Sequence, residues 1–364
     1  MLLLLLSSSV RAGAVTIFFE EDAAPPASLL GLNEDRNYTG GGALEINGDW
    51  IGTTPVVNWP LVATGLLLEN RKWNLRDGHD QRGSSLMIPL TAFTPDDLRS
   101  TVPVETDRPY SALVGMGWRS ASASSTRGIA YSNEVMIGVL GLDGLGYFVQ
   151  ETVVHANARD CEVYDPESTD CQPYRPEGWE FQISHGGEPT ARVSYGRHQR
   201  LMAQEIDALS SDQDKVWWTD LSTDAGLDLG YYTMLNGGVM GRLGRIHTPS
   251  WAFHSSPLRG ANQAASTARS RLRWEAFVFA ATRANLVGYN ALLQGQFRES
   301  EHTFSASEIR RLVMQYDLGL SLGVGPVRLT SVLLQGRGPE FRSDTPRHHW
   351  WSAYHLTIQW GDEP

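Results

Sequence analysis

Three polar residues near the middle of the chain have the types and spacing of an acid–base site. Gln150, Glu151 and His155 follow a glycine-punctuated segment, and Glu151 precedes His155 by four residues. Residues at this spacing share one face of a helix, where a carboxylate can orient an imidazole that accepts a proton. The sequence therefore predicts a short helix that carries a general base, His155. The alternative is that this histidine is structural.

The segments around this helix alternate as β-strands do. Residues 350–360 place aromatic and aliphatic side chains on one face, with Ser352 as the exception, and Trp351 followed by small or polar side chains on the other. Aromatic residues at both ends of an apolar face are typical of a strand in a transmembrane barrel. The same pattern occurs in residues 110–118 and 311–320, where Arg311, Gln315 and Asp317 on the second face indicate a polar interior.

Thirteen segments have this alternating character. Small outer-membrane barrels have even strand numbers, so we predict an all-β fold, a transmembrane antiparallel up-and-down β-barrel of about twelve strands, with one segment merged or lost. A soluble β-sandwich also alternates and is the alternative. The segments are 15–22, 41–52, 60–70, 84–92, 108–121, 127–141, 190–205, 215–229, 231–246, 272–286, 308–322, 325–336 and 348–360. We expect 71–83, 158–175 and 248–270 to be loops, the last of them mobile.

Composition excludes two classes of protein. The 364 residues contain no apolar run near the ~20 residues that a membrane-spanning helix requires, which excludes a helical membrane protein. The formal net charge of −11 argues against nucleic acid as a partner, because no basic stripe is available to neutralise phosphates. An anionic glycolipid held through a divalent cation remains compatible with this charge.

The first residues resemble an export signal. Leu2 to Leu6 form a short apolar core, and small residues follow it up to Ala12 and Ala14, where cleavage is expected. We predict a cleaved signal peptide at residues 1–14 and an outer-membrane barrel at residues 15–364. A buried first strand is the alternative.

The only two cysteines lie close together in one polar segment. Cys161 and Cys171 are ten residues apart, and two thiols alone cannot complete a structural zinc site. In an exported protein a local disulfide is the simplest expectation for such a pair.

Eight short motifs occur in an order that resembles the lipid A 3′-O-deacylase (LpxR) family, and the resemblance spans nearly the whole mature chain. No single motif is highly specific, but so many in the same order make coincidence an inadequate explanation. The motifs are Phe19 to Asp22, Asp35 to Gly41, Phe93 to Leu98, Asp107 to Ala112, Gly141 to His155, Gly178 to Gln182, Val287 to Asn290 and Gly338 to Phe341.

The resemblance implies an enzyme of the Gram-negative outer membrane. Members of this family are twelve-stranded barrels that hydrolyse the 3′-linked acyloxyacyl group of lipid A with a calcium ion, at a site between the barrel wall and a short helix. His155 matches the histidine that takes a proton from water, and Thr39 matches a threonine near the site. The expected partners are lipid A or lipopolysaccharide and outer-membrane lipids, and we expect a monomer.

The chain departs from the family pattern at three places. Glu21 stands where the family has an asparagine, whereas Asp22 keeps the family aspartate, and these two are the expected metal ligands. Arg99 lies where some members have a lysine and could bind a lipid A phosphate. The family glutamine falls at Gln150, five residues before the histidine, so that Glu151 occupies the place four residues before it. Glu162 could correspond to a further acidic residue of the family.

Three classes of function are compatible with the sequence. The first is a metal-dependent lipid A deacylase, an ester hydrolase with His155 as its base. The second is a non-catalytic barrel, a degenerate relative that binds lipid or has a structural role, which the replacement at Glu21 would explain. The third is a soluble β-rich secreted binding protein.

Overall fold

Twelve antiparallel strands form one closed barrel in a computed structural model of the protein, which describes residues 13–21, 25–30, 40–66, 81–98, 100–148, 177–206, 217–256, 274–342 and 348–360. Each strand pairs with its neighbours in the chain, and the first pairs with the last. The predicted all-β up-and-down barrel and its strand number are confirmed. The strands are β1 Gly13–Glu21, β2 Gly40–Gly48, β3 Gln81–Phe93, β4 Ser111–Ser124, β5 Ile129–Leu140, β6 Glu188–Glu205, β7 Trp217–Gly230, β8 Tyr232–Arg245, β9 Trp274–Asn290, β10 Leu312–Val324, β11 Val327–Arg337 and β12 His349–Trp360.

The predicted strand at 60–70 was wrong. The described part of this region belongs to two helices, α1 Asp49–Thr53 and α2 Pro55–Ala63. Proline is favoured at the first helical position, because it has no N–H to leave unpaired there. Val56, Trp59 and Val62 are exposed at a spacing of three residues, which is a helical period and not the period of two that a strand requires.

Two shorter helices, α3 Leu145–Phe148 and α4 Ala291–Gln294, complete the α-helical part of the described chain. Among the residues that the structure describes, no helix is long and apolar enough to cross a membrane.

The alternation of each strand separates a lipid-facing surface from the lumen. Large apolar side chains such as Ile17, Leu44 and Leu318 are exposed on the outward face, whereas the residues between them are buried. In β10, Gln315 and Asp317 face the lumen as the sequence predicts. Arg311 does not, because it precedes the strand, is exposed, and donates hydrogen bonds to backbone carbonyls of the neighbouring segments.

Buried ion pairs fill the polar lumen. Arg119 contacts both Glu45 and Glu134, and Arg192 also contacts Glu134, with all four side chains almost fully buried. Charges removed from water require a partner of opposite sign, so these pairs explain how inward-facing glutamates and arginines are tolerated. Arg242 also pairs with Asp220 of the neighbouring strand, whereas Arg283 with Asp224 and Arg328 with Glu275 pair across one intervening strand.

One connection that we expected to be a mobile loop is packed inside the barrel. Residues 246–256 enter the lumen, where Phe253 packs against Phe277 and Phe279 and the Ser255 hydroxyl donates to Asp317 at 2.6 Å. The His355 ring contacts the Ser255 carbonyl oxygen at 2.8 Å. The predicted loop is confirmed for the described part of this connection, but the packing of its aromatic side chains in the barrel core argues against the expected mobility.

The start of β1 and the end of β12 lie at one end of the barrel, since the strand number is even. The other end, where β1, β3, β5, β7, β9 and β11 finish, is here called the upper rim. β1 already includes Gly13, which pairs with Trp360 of β12. The strand therefore begins within the range predicted as a signal peptide, and the cleavage itself remains a prediction.

Candidate active site

Most of the residues that the sequence predicts for the site lie outside the described residues. These are Asp22, Thr39, Arg99, Gln150, Glu151 and His155, together with Glu162 and the two cysteines. Glu21 is described. The described residues that adjoin the predicted site in sequence are Gly40, Leu98 and Phe148, and they establish where on the barrel the site segments begin.

Glu21 ends β1 on the outward face of the wall. Ile17 and Glu21 share the same side of this strand, and Ile17 is exposed to the lipid side. Glu20 points the other way and accepts a hydrogen bond from Trp351 inside the barrel. In register, Glu21 lies between Ser352 of β12 and Gly40 of β2, yet it is only 9% exposed. Glu21 is therefore buried although it lies on the membrane side of the upper rim.

A short segment, residues 25–30, covers the wall on one side of Glu21. The Ala27 N–H donates to the Ser352 hydroxyl at 3.1 Å, and the Tyr354 hydroxyl donates to the Pro25 carbonyl oxygen. Ala27 and Ser352 are both fully buried. This covering segment explains why a serine occupies the apolar face of β12, because its hydroxyl accepts that backbone N–H.

A second structure covers the wall on the other side of Glu21, above β3 and β4. Trp179 packs edge-on against Tyr110 at 4.9 Å between ring centroids, and Leu145 and Tyr147 of α3 pack against the same cluster. A Cβ added at Gly146 would lie 2.0 Å from the Trp179 ring. The close contact therefore requires glycine there, and it fixes α3 against the wall immediately before Gln150 in the chain.

Between these two structures, β2 contributes glycines to the outward surface. Gly40 and Gly42 lie on the outward side of the strand, because Leu44 on the same side is exposed. β1 and β3 are separated by two strand spacings, or about 10 Å. The outward face at the upper rim thus has a floor without side chains, and we call this region the rim groove. Its sides are residues 25–30 and the α3–Trp179 pair, and Glu21 lies at its edge.

A hard divalent cation prefers oxygen donors, and the described residues of the rim groove supply one such group, the Glu21 carboxylate. Calcium binds six to eight oxygen atoms from carboxylates, carbonyls and water, and the Glu21 carboxylate is of this type. Within the described ranges, no group of three histidine, cysteine or acidic side chains is placed to hold a metal. Glu21 is therefore compatible with calcium, and a complete site requires ligands from the adjoining segments.

A cavity of about 110 Å³ lies inside the barrel below the upper rim. Glu20, Arg108 and Glu340 are among its lining residues, and Arg108 pairs with Glu340 at 3.1 Å. Burial alone would raise the pKa of Glu340, but the guanidinium groups of Arg337 and Arg108 outweigh it and hold that pKa below its usual value. This cavity is on the lumen side of the wall, whereas lipids meet the outward side, so we place the candidate site in the rim groove.

The residues that build the sides of the groove are not among those predicted from the sequence. The 25–30 segment carries no chemical motif, and its role follows only from its contacts with β12. Trp179 stands in a motif of the family resemblance, but its contact with Gly146 joins two segments 33 residues apart in the chain. The one available signal was the run Gly40 to Gly42, which is unusual in a strand, since glycine there often marks a close approach.

The chain is similar to one protein family and to several solved structures. A family model described as "Outer membrane protein LpxR" matches residues 1–360. LpxR from Salmonella typhimurium is 19% identical, with a TM-score of 0.67 over 95% of this chain and 99% of that chain. The β domain of the Bordetella autotransporter BrkA is 10% identical, with a TM-score of 0.40 over 96% of this chain and 100% of that chain. No curated protein sequence matches the chain. Because the family model covers nearly all 364 residues, the chain belongs to the LpxR family of outer membrane proteins.

Proposed function

We propose that this protein is a lipid A deacylase, an ester hydrolase that removes the 3′-linked acyloxyacyl group of lipid A in the outer membrane. The observation that carries the proposal is the outward-facing rim groove, where Glu21 lies on the lipid side of the barrel wall. Lipid A is embedded in the membrane by its acyl chains, so an ester bond near its headgroup can reach this groove without entering the lumen. Lipid A and lipopolysaccharide are therefore the proposed substrates.

The described ends of four segments support the proposal, because they meet around this groove. Glu21 and Gly40 are paired across β1 and β2, while Leu98 and α3 belong to the cluster above β3 and β4. The segments that carry the proposed site residues continue from these points. Thr39 precedes Gly40, Arg99 follows Leu98, and Gln150 is two residues beyond α3.

In the proposed reaction His155 is the general base. Its imidazole takes a proton from water as the water oxygen attacks the ester carbonyl carbon, and Glu151 orients the ring. The proton then passes to the sugar oxygen as the ester bond breaks. Glu21 and Asp22 are the proposed calcium ligands. When bound, calcium would hold the negative charge that develops on the carbonyl oxygen.

Three further residues have proposed roles, Thr39 in catalysis and Arg99 and Gln150 in substrate binding. Thr39 donates a hydrogen bond at the site, Gln150 contacts the substrate through its amide, and Arg99 pairs with a phosphate of lipid A, which a planar guanidinium can do through two hydrogen bonds. All three are carried over from the family resemblance. The enzyme is proposed to act as a monomer.

A second candidate function is a non-catalytic barrel. The observation that favours it is Glu21, which stands where the family resemblance expects an asparagine. A carboxylate accepts hydrogen bonds but, when ionised, cannot donate one as an amide does. If that donor is essential, the groove would still bind lipid A but would not hydrolyse it.

Incubation of the refolded protein with hexa-acylated lipid A separates the two candidates. With calcium present, we expect mass spectrometry to show loss of one acyloxyacyl group, and we expect chelation or His155→Ala to abolish that loss. His185→Ala is the matched control, because His185 is an exposed histidine at the same end of the barrel. Binding of lipid A without any change of mass would support the non-catalytic barrel and contradict the deacylase.

A further inference from the structure

Two leucines beside the rim groove are unusually exposed. Leu29 is 79% and Leu30 is 60% exposed, although Ala27 in the same segment is fully buried. Exposed apolar side chains cost free energy in water but not against hydrocarbon. Their position on the molecule therefore decides what they can contact.

The segment that carries these leucines is held against the barrel wall. Its backbone forms a 3₁₀ turn at Ser28–Leu30, in which the Leu30 N–H donates to the carbonyl oxygens of Pro26 and Ala27 at 3.1 and 3.2 Å. The hydrogen bonds to Ser352 and Tyr354 attach it to β12. The leucines are thus presented by a fixed turn on the outward side of the wall.

This segment is attached to the outward face of β12. Leu356 and Ile358 are exposed on the same side of the strand as Ser352 and Tyr354. They belong to the surface that meets the hydrocarbon of the membrane. The hydrogen bonds to Ser352 and Tyr354 attach the turn that carries Leu29 and Leu30 to this same face of β12, and Glu21 lies beside Ser352 in register.

We propose that Leu29 and Leu30 form a binding site for an acyl chain of the substrate, which lies along the outward face of β12 and leads the ester bond to the groove. This inference rests on the proposed function and names the element that selects the chain. The occupant is an acyl chain of a membrane lipid because the surface is apolar and continuous with the lipid-facing side of the barrel. Residues 25–30 carry no charged side chain, so this segment offers nothing to a headgroup phosphate.

Kinetics with two substrates test this site. We compare lipid A with long 3′-linked acyl chains against lipid A in which those chains are several carbons shorter. For Leu29→Ser combined with Leu30→Ser, we expect KM for the long-chain substrate to rise about tenfold, equivalent to about 1.4 kcal/mol, with kcat nearly unchanged. The KM for the short-chain substrate should change less, because fewer methylenes reach the turn.

Leu229→Ser is the matched control. Leu229 is 50% exposed on the outward side of β7, also near the upper rim, but β7 lies opposite β1 in the ring of strands. An equal rise in KM for this control, or an unchanged KM for the double variant, would overturn the acyl-chain site.

A binding measurement separates failure of the site from failure of the proposed function. Leu30→Cys and Leu229→Cys are labelled with a fluorophore in lipid A bilayers that contain spin-labelled acyl chains, with the labelled unsubstituted protein as the blank. Quenching at both positions would support acyl-chain contact at Leu30 even if the protein hydrolyses nothing. Quenching at position 229 alone would overturn it.

Discussion

Glu20 and Glu21 are adjacent in the chain, but they face opposite sides of the barrel wall. Glu20 accepts a hydrogen bond from Trp351 in the lumen, whereas Glu21 is buried at the edge of the rim groove on the outward side. The alternation of a strand produces this difference. A substitution of Glu21 can therefore be compared with the same substitution of its neighbour Glu20, which serves as the control.

Glu21→Gln should weaken calcium binding, because the neutral amide keeps an oxygen donor but loses the negative charge that attracts the cation. We expect calcium affinity to fall about tenfold or more, equivalent to about 1.4 kcal/mol, and hydrolysis to recover at higher calcium concentration. Isothermal titration with calcium measures the affinity. Glu20→Gln should leave it unchanged, and an equal loss in both variants would refute the role of Glu21.

We expect the stability of the folded barrel to depend on pH through Glu340. Its pKa is lowered by Arg337 and Arg108 against the opposing effect of burial, so the ion pairs stabilise the fold fully above the unfolded-state pKa of about 4.3. That stabilisation is lost as the pH falls through the lower pKa of the folded state. We expect Glu340→Gln to lower the unfolding temperature near pH 7 and to flatten its fall in acid. The exposed Glu301→Gln should do neither. A parallel acid profile for Glu340→Gln and unsubstituted protein would contradict the assignment.

At the scale of the element, α3 depends on a contact that a methyl group would remove. The Trp179 ring occupies the space that the added methyl group of a Gly146→Ala variant would need, so α3 should shift from the wall and displace the start of the segment to which we assign the proposed base. Misplacement of about 1 Å can cost about 10²-fold in rate, and we expect a loss of that order in deacylation. Gly241→Ala is the control, because the nearest atom to its added methyl group would be 3.9 Å away. Full activity in Gly146→Ala would show that α3 does not position the site.

The strands and helices differ in how well the sequence alone predicts them. Alternation predicted β4, β10 and β12 and their outward faces, because one side of each strand must meet lipid and the other the lumen. The strand predicted at 60–70 is wrong, because the described part of this segment continues α2, whose start at Pro55 and whose spacing of Val56 and Trp59 are helical. The sides of the rim groove could not be predicted, since they arise from tertiary contacts such as Ala27 with Ser352.

At the scale of the whole molecule, the filled lumen predicts a barrel that does not conduct. Residues 246–256 are bound to three parts of the wall through His198, Asp317 and His355. Replacing residues 249–256 with a short Gly-Ser linker should open an aqueous path, and conductance in planar bilayers measures it. Porin-like conductance of the unsubstituted protein would contradict the closed lumen.

The proposed reaction is hydrolysis of lipid A in the rim groove by a water molecule that His155 activates. The most direct measurement is the reaction in ¹⁸O-labelled water, with mass spectrometry of both products. Attack at the ester carbonyl predicts one heavy oxygen in the carboxylate of the released acyloxyacyl acid and none in the disaccharide, only with calcium present and only with His155 intact. Unchanged lipid A in every condition, or heavy oxygen in the disaccharide, would contradict it.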